Sequence, residues 1–573
     1  MTLKARLLTS VFVLPLSGWL MLAPASAFDV TGDEADAEAT TEQIILEDTD
    51  TSDVQSIIID GTPSNPSEQA ALLIRDDQVV TVNGTILVRD RDDDGELTPL
   101  QNGIAVKVGI AMSAGELRLK SGANLSVLEI HGPEYDGDED GLPDANDTDE
   151  DGIVEGPLAL GGAKRRIGVW VAESITGNLI GESGSSIRIE GMGGTDASNN
   201  IIAGILLQAD LIGNLDLSTR IDAIGDNARG VNINNTIDGN YRQRGDIDVR
   251  GEGGVGIDLD GAITGSLLIE SLVNATGYST APTPQRGVDE SELTADESNA
   301  NANERRRGGS AIDVAANVSG GILINGSLNT IQTPSETQAL ADIAEARTDD
   351  DGNLVDITAQ KTLPFHFDAN RASGRVTTYG EASGEAALKI SSTIGSLTGS
   401  TLETFLDTTN DDGEAVPEED TDPQLDVYDS TREFFYSHGL MNRGTIAANS
   451  WYDGFKAYAV RVEAGAKIHG GIYNSGSISA TAYNGDATAL GLNAGALNDG
   501  LRSDSSILLN EGTISASVTT HTGSDSTKTK SSNTATAIVL ADGVAPAGGL
   551  ILNRGTIFAS SNHITAATDD AAA

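Results

Sequence analysis

The chain of 573 residues contains no cysteine, so disulfides contribute nothing to its stability. Aromatic residues make up only 4% of the chain. This scarcity is typical of a thin aliphatic core and leaves too few rings for an evident sugar-stacking groove. Basic residues number 35 against 86 acidic ones, which gives a formal net charge of -51. Such a chain repels nucleic acid and anionic membranes and attracts divalent cations, although acidity also serves solubility alone.

Long apolar runs are absent after the first 27 residues, so the sequence predicts no transmembrane segment in the mature chain. The first 27 residues have the order of a secretory signal peptide. Lys4 and Arg6 precede an apolar stretch from Leu7 to Leu22, and an Ala-Ser-Ala cleavage pattern ends at Ala27. We therefore predict an exported protein that is extracellular or located at the cell surface in association with the outer membrane.

One short pattern recurs through the middle of the chain. It begins at a glycine, continues with apolar residues one, three and seven positions later, and reaches a second glycine nine positions later. The aligned positions are Gly168, Gly204, Gly230 and Gly256; Val169, Ile205, Val231 and Ile257; Val171, Leu207, Ile233 and Leu259; Ile175, Leu211, Ile237 and Ile263; and Gly177, Gly213, Gly239 and Gly265. The pattern restarts at Ala311 and again near Ala387.

A repeat of this length indicates a solenoid, in which each unit buries its apolar face against its neighbours. Alternating apolar residues indicate half-buried strands, and glycines between the short runs mark corners. Three strands of about five residues plus corners need roughly 20–26 residues, which is the length of one rung. We therefore predict an all-β fold, a right-handed parallel β-helix (solenoid) with long loop insertions. A leucine-rich repeat is disfavoured because its leucine and asparagine lattice is missing.

Composition divides the chain into segments. The predicted segments are a signal peptide at 1–27, a disordered acidic leader at 28–56, first rungs or a capping piece with acidic loops at 57–160, β-helix rungs at 161–400 with insertions at 278–309 and 334–384, an acidic loop at 401–432, and further rungs at 433–573. Long loops that leave regular rungs are where a solenoid usually carries recognition.

The sharpest chemical signal is a run of alternating carboxylates with the spacing of oxygen ligands in a calcium loop. The ligands predicted for the first loop are Asp136, Asp138, Asp140, the Leu142 carbonyl, Asp144 and Asp147. A second loop shares Asp147 and continues through Asp149, Asp151 and Glu155, and a weaker, incomplete loop holds Asp90, Asp92 and Asp94. The tandem arrangement resembles the calcium repeats of thrombospondin type 3, which implies bound Ca2+. The alternative is a set of solvated acidic loops.

A second motif, N-x-G-[ST]-I, occurs four times in the C-terminal third. Its asparagines are Asn442, Asn474, Asn510 and Asn553. They predict one of two structural roles. The first is a corner that uses left-handed backbone or local hydrogen bonds, and the second is a ladder of stacked side chains inside the coil.

These motif strands, following an export signal, resemble the passenger region of alphaproteobacterial autotransporters and related β-helical surface proteins, over roughly Gly168 to Ile557. The resemblance implies a right-handed β-helix that is displayed on or released from the cell surface, often as an adhesin. We find no counterpart of that family's C-terminal outer-membrane β-barrel after Ile557.

The sequence contains none of the common nucleophile, metalloprotease or phosphate-binding motifs. Asp258 and Asp260 share one strand face, which rung alternation explains better than acid–base catalysis. We therefore predict a non-enzymatic, calcium-stabilised adhesion protein whose partner is a polysaccharide or protein on a host or neighbouring cell, and not nucleic acid. A structural surface-layer protein and a polysaccharide-degrading lyase or hydrolase are the alternatives.

Overall fold

The computed structural model describes the chain in segments between residues 44 and 565. The described residues are 44–47, 51–60, 70–75, 79–89, 102–113, 115–128, 165–191, 201–277, 307–325, 375–379, 385–395, 438–450, 455–493, 506–522, 533–541, 544 and 550–565. Every regular element within these segments is a β-strand, so the predicted all-β class is confirmed.

The strands of the N-terminal half are short, and most contain two to seven residues. They are β1 (Ile44–Glu47), β2 (Thr51–Asp60), β3 (Ala70–Arg75), β4 (Val79–Arg89), β5 (Asn102–Val108), β6 (Glu116–Leu119), β7 (Asn124–Leu128), β8 (Arg165–Val171), β9 (Ile175–Thr176), β10 (Leu179–Gly181), β11 (Ser186–Glu190), β12 (Ile201–Leu207), β13 (Leu211–Ile212), β14 (Leu215–Leu217), β15 (Arg220–Ile224), β16 (Arg229–Ile233), β17 (Tyr241–Gln243), β18 (Ile247–Arg250) and β19 (Val255–Leu259).

The strands of the C-terminal half continue the same series and lengthen toward its end. They are β20 (Leu267–Ile269), β21 (Leu272–Thr276), β22 (Ile312–Val314), β23 (Ile322–Ile324), β24 (Arg375–Tyr379), β25 (Leu388–Ile390), β26 (Thr393–Ile394), β27 (Leu440–Asn442), β28 (Thr445–Ser450), β29 (Ala457–Val462), β30 (Lys467–Ile468), β31 (Ile472–Asn474), β32 (Ser477–Tyr483), β33 (Ala487–Leu492), β34 (Ser506–Asn510), β35 (Thr513–Thr522), β36 (Ala535–Leu540), β37 (Leu550–Asn553) and β38 (Thr556–Thr565).

The strands stack in parallel and form three faces of one coil. The first face is a 12-stranded sheet in the order β1, β3, β5, β8, β12, β16, β19, β22, β25, β29, β33 and β36. The second face carries β6, β10, β14, β17, β20, β23, β27, β31, β34 and β37, and the third carries β7, β11, β15, β18, β21, β24, β28, β32, β35 and β38. The long strands β2 and β4 extend across the second and third faces. Each turn of the chain adds one strand to each face, which confirms a parallel β-helix.

The pairing register confirms the repeat that the sequence predicted. Ile205 pairs with Val169 on one side and with Val231 on the other. Val231 pairs with Ile257, and Ile257 pairs with Ile312 in the next rung. Some fifty residues separate Ile257 from Ile312 in the sequence, so the rungs keep their register across an insertion.

Apolar side chains fill the coil because alternate residues of each strand point inward. A corner row between the first and second faces shows this packing clearly, since its members are joined by backbone bridges and are at most 1% exposed. The row consists of Met112, Ile175, Leu211, Ile237, Ile263, Val318, Ile394 and Ile468. Burying each of these side chains stabilises the fold by about 1.5–3 kcal/mol relative to leaving it in water.

Glycines allow the closest approach between neighbouring rungs. Next to the corner row, Gly177, Gly213, Gly239 and Gly265 lie above one another. A Cβ atom on any of the last three would overlap the carbonyl oxygen of the glycine in the preceding rung. The repeat therefore requires glycine here for space, as its spacing in the sequence indicated.

Three strands lie where the sequence predicted none. β1 and the first part of β2 fall inside the predicted leader at 28–56, and β24 falls inside the predicted insertion at 334–384. β24 pairs with β21 and β28 and so completes the third face of its rung. Its sequence, Arg-Val-Thr-Thr-Tyr, has too little apolar alternation to be recognised alone, because its neighbours rather than its own composition fix it as a strand. The predicted boundaries of the leader and of this insertion are corrected accordingly.

Candidate interaction surfaces

The predicted calcium loops lie outside the described residues. This holds for every ligand named from the sequence: Asp136, Asp138, Asp140, Leu142, Asp144, Asp147, Asp149, Asp151, Glu155, Asp90, Asp92 and Asp94. In the part of the chain that the structure describes, no group of three or more His, Asp or Glu side chains is placed to hold a metal ion. The Ca2+ sites therefore stay predictions.

The motif asparagines form a hydrogen-bonded ladder at the corner between the second and third faces. The Nδ2 atom of Asn442 donates to Oδ1 of Asn474, Asn474 donates in the same way to Asn510, and Asn510 donates to Asn553, each over 2.7 Å. The first three side chains are completely buried. Non-glycine residues with positive φ in the described segments are Asn227 and Asn484, so the motif asparagines keep ordinary backbone angles. The predicted internal ladder is therefore observed. Of the predicted corner role, the left-handed backbone is absent from these asparagines, and Asn510 Nδ2 makes a local hydrogen bond of 3.3 Å to the carbonyl of Gly512.

The same amide groups also donate to the backbone of the next rung, at the first residue of its third-face strand. Asn442 Nδ2 donates to the backbone carbonyl of Ser477 over 3.1 Å, and Asn474 Nδ2 donates to that of Thr513 over 3.3 Å. Buried amides of this kind stabilise a fold only when their hydrogen bonds are satisfied. The Nδ2 groups of Asn442, Asn474 and Asn510 all have acceptors, and the Oδ1 atoms of Asn474 and Asn510 have donors. At the start of the ladder, Oδ1 of Asn442 is buried without a hydrogen-bond partner among the described residues. The ladder fixes the corner at which the third face begins.

Outward side chains on the last part of the third face form a surface rich in hydroxyl groups. We call it the hydroxyl surface and define it as the partly or fully exposed outward residues of β28, β32, β35 and β38. Its members are Thr445, Asn449, Ser477, Ser479, Thr481, Thr513, Ser515, Ser517, Thr519, Thr556, Phe558, Ser560 and Asn562. All are uncharged. The serine or threonine of each N-x-G-[ST]-I motif supplies its first row, because these residues point outward beside the ladder.

The hydroxyl surface carries no charged side chain, and neither do the first-face strands β33 and β36 of the same rungs. Ion pairs lie outside the hydroxyl surface in the same rungs. Arg461 pairs with Glu463 on the first face at 2.7 Å, and Arg554 pairs with Glu511 at 3.1 Å at the corner between the second and third faces. Earlier in the third face the outward positions also hold ion pairs, such as Arg220 with Asp222 at 2.9 Å. The third face thus changes from charged pairs to hydroxyl groups along the coil.

A row of ion pairs crosses the first face at the level of β16 to β25. Arg229 Nε lies 2.6 Å from Oδ2 of Asp258, and Lys389 Nζ lies 2.9 Å from Oδ2 of Asp313 and 3.3 Å from Oε1 of Glu385. Burial raises the pKa of Asp313 above its ordinary value, and the ammonium group of Lys389 opposes that rise. Asp258 and Asp313 each form an ion pair with a cation from another rung. These ion pairs support the interpretation that Asp258 belongs to the regular rung pattern.

The neighbouring carboxylate of Asp260 is compensated only in part, because the charge of Arg229 lowers its pKa by less than the other influences raise it. Partial desolvation of the carboxyl group first, and then the charge of Asp258, raise the pKa of Asp260 above its ordinary value of 3.8. The ionised form is therefore disfavoured in the folded protein. Ionised Asp260 therefore lowers the free energy of unfolding. This loss is fully present above the raised pKa of the folded protein and disappears as the pH falls below the ordinary pKa, where the carboxyl group is protonated in both the folded and the unfolded protein.

We expect Asp260→Asn to raise the melting temperature slightly at pH 7, because the neutral amide carries no penalty for desolvating a charge and does not repel Asp258. The gain is limited to at most about 1 kcal/mol, since Asp260 is exposed and water screens it. Thermal unfolding between pH 7 and pH 3.5 should show the difference from the wild type shrinking with falling pH. Asp258→Asn provides the control of opposite sign, because it breaks the contact with Arg229. A gain that persists unchanged at pH 3.5 would contradict this explanation.

Taken together, the fold and these surfaces define a parallel β-helix whose described residues offer broad outer faces built from aligned rows of side chains. Comparison with family models, with curated proteins and with solved structures finds no match to the chain. The resemblance to autotransporter passengers therefore stays a prediction. In the described segments, the structure contains no helix with the length and apolar character needed to cross a membrane.

Proposed function

We propose that the chain is an exported β-helical protein that acts by binding, at the cell surface or outside the cell, and that Ca2+ stabilises it. The observation that carries this proposal is the register of the rungs on either side of the insertions. Ile257 pairs with Ile312, and Ile312 pairs with Leu388, although long stretches of sequence lie between them. A coil that tolerates such insertions is a scaffold from which loops and regular faces are presented.

The physical properties of the chain support an extracellular role. The absence of cysteine leaves stability to stacked rungs, and a net charge of -51 favours binding of divalent cations by acidic loops. Calcium bound by carboxylates neutralises their mutual repulsion and orders the segment that carries them. In this proposal the rungs set the spacing of the binding surfaces, and calcium organises the acidic segments.

Calcium at millimolar concentration is expected to raise the melting temperature of the mature chain, residues 28–573. Ligand present at 100 times its Kd stabilises the folded state by about 2.7 kcal/mol. Asp138→Ala/Asp140→Ala should abolish most of the shift, whereas Asp411→Ala/Asp412→Ala, which removes two carboxylates outside the predicted loops, should leave it intact. Thermal unfolding and titration calorimetry measure both effects. Absence of any calcium-dependent shift in the wild type would reduce the loops to solvated spacers.

Binding itself is tested with fluorescently labelled mature chain added to intact bacterial and eukaryotic cells. We expect saturable retention that unlabelled chain displaces, measured by flow cytometry in the presence and absence of calcium. An unrelated labelled protein of similar acidity serves as the control for nonspecific adhesion. Retention no greater than that of the control on every cell type, even with calcium present, would refute a surface-binding function.

A further inference from the structure

We propose that the hydroxyl surface is the docking site for an uncharged polysaccharide. This inference rests on the proposed binding function and assigns it a location and a class of partner. It accounts for the one position of the N-x-G-[ST]-I motif that the fold does not explain.

Three of the four specified motif positions have internal roles. The asparagine forms the ladder, the glycine lies against the backbone of the neighbouring rung, and the isoleucine is buried in the core, as Gly512 and Ile514 show. The serine or threonine points outward instead. Strand preference accounts for threonine but not for serine, which is not among the residues enriched in strands. A requirement for the hydroxyl group itself explains why a serine, Ser477, stands in a row whose other members are threonines, such as Thr513.

Charge selects the class of partner. The chain carries a net charge of -51, so its overall field repels an anionic polymer. A cationic partner is attracted to the acidic loops rather than to a surface without carboxylates. An uncharged polymer gains nothing from those loops but meets no desolvation cost from buried charge on the hydroxyl surface. The neutrality of the surface is therefore complementary to a neutral polymer.

The geometry suits an extended, hydroxyl-bearing chain. Neighbouring strands lie about 4.7–4.9 Å apart, and outward residues on one strand are separated by about 6.6–6.8 Å, so the hydroxyl groups form a regular two-dimensional array. Each hydroxyl group both donates and accepts. Within the described residues, the side-chain hydrogen bond of this surface joins Ser560 Oγ to Ser517 Oγ at 3.2 Å, which leaves most of the array for a ligand. Phe558, 47% exposed, adds an apolar ring at one edge.

Many weak contacts on such an array act together. A single hydrogen bond to a sugar replaces one to water and contributes little on its own. A polymer with repeated units engages several positions at once, so that its overall affinity exceeds that of any single contact by a large factor. The proposed partner is therefore a polymer and not a monosaccharide.

The test measures retention of the mature chain on three uncharged polysaccharides, namely cellulose, a β-1,3-glucan and amylopectin, with alginate as the anionic comparison. We expect saturable binding to at least one uncharged polymer and none to alginate. Binding should be unchanged in 1 M sodium chloride, because no ion pairs are involved. Monosaccharides at the same concentration of sugar units should compete poorly.

A matched pair of variants locates the binding. Thr513→Val/Thr556→Val removes two hydroxyl groups from adjacent positions of the hydroxyl surface while keeping the shape of the side chains, and we expect about tenfold weaker binding. Thr488→Val/Thr536→Val makes the same change on the first face of the coil, where both residues are also partly exposed and adjacent, and should leave binding unchanged. Equal melting temperatures of the two variants establish that both are folded.

Three results would overturn the docking site: no retention on any of the uncharged polymers, equal loss in both double variants, or loss of binding in high salt. If labelled chain is nevertheless retained by intact cells, the proposed function stands and its site lies elsewhere. If neither cells nor polymers retain the chain, both proposals fail.

Discussion

Replacement of Gly225 by alanine is expected to destabilise the coil by about 3 kcal/mol or more, and to lower the melting temperature by several degrees. Gly225 has a φ of +136°, a region that residues with a side chain rarely adopt. Its Cβ would overlap the carbonyl oxygen of Gly191 in the preceding rung. The atom that the Cβ would meet belongs to the backbone, so the clash cannot be relieved by moving a flexible side chain. Both residues are held by backbone hydrogen bonds, from Gly191 N–H to the Ile224 carbonyl over 3.0 Å and from Gly225 N–H to the Arg250 carbonyl over 2.7 Å. Urea unfolding measures the loss of free energy.

Gly122→Ala is the matched control for this prediction. Gly122 also has a positive φ, +92°, but no atom lies within 4 Å of the position that its Cβ would occupy. At Gly122 only the strained backbone conformation of alanine reduces stability, and we expect the free energy of unfolding to fall by about 1–2 kcal/mol. The difference between the two variants therefore isolates the contact between rungs. Equal costs would show that rung stacking at Gly225 is looser than described.

Asn474→Ala is expected to cost about 2–4 kcal/mol, which is the second large effect. Asn474 accepts from Asn442 and donates to Asn510, both over 2.7 Å, and all three side chains are fully buried. Truncation leaves Oδ1 of Asn510 without its donor and creates a cavity at the corner. The penalty of burying a polar atom without a partner is therefore added to that of the lost bonds.

Asn553→Ala tests whether position in the ladder determines this cost. Asn553 only accepts, from Asn510, and its side chain is exposed, so water can replace the missing bond. We expect a loss of about 1 kcal/mol or less, measured by the same urea unfolding. A loss as large as that of Asn474→Ala, or a negligible loss at Asn474, would mean that the asparagines do not act as an internal ladder.

Much of the coil could be predicted from the sequence because local spacing determines it. Gly204 and Gly230 each begin one copy of the repeat. Val318 and Gly320 lie seven and nine positions after the restart at Ala311, as the repeat requires. The structure confirms the restart at Ala311, where Val318 forms a bridge with Ile263. Glycine spacing and apolar alternation are properties of short segments, so an insertion elsewhere in the chain does not change them.

Contacts between side chains of different rungs were harder to predict, because they depend on which outward residues face each other and, in some cases, on insertions between the partners. Asp313 and Lys389 form an ion pair although 76 residues separate them, and Arg229 pairs with Asp258 across 29. Neither pair has a spacing that the sequence reveals before the register is known. The strand β24 escaped prediction for a similar reason, since its identity depends on the strands beside it.

The predicted calcium loops and the hydroxyl surface also differ in how far local sequence determines them. The calcium loops follow from ligand spacing alone, so the sequence predicted them, and they lie outside the described residues. The hydroxyl surface arises only when several rungs are stacked, and it was missed. A signal was nevertheless present, because the fixed hydroxyl position beside Asn474 alternates with a buried isoleucine, Ile478, and must therefore point outward.

Export is the most direct test of the central claim, which is that the chain works outside the cytoplasm as a binding scaffold. The full chain, Met1 to Ala573, is expressed in a Gram-negative bacterial host, and the cell fractions and medium are analysed by mass spectrometry of the protein's N-terminus. The account predicts a mature chain beginning at Phe28 that is found outside the cytoplasm and is accessible to protease added to intact cells or released in the medium. A protein that keeps its first 27 residues and remains in the cytoplasm would contradict it.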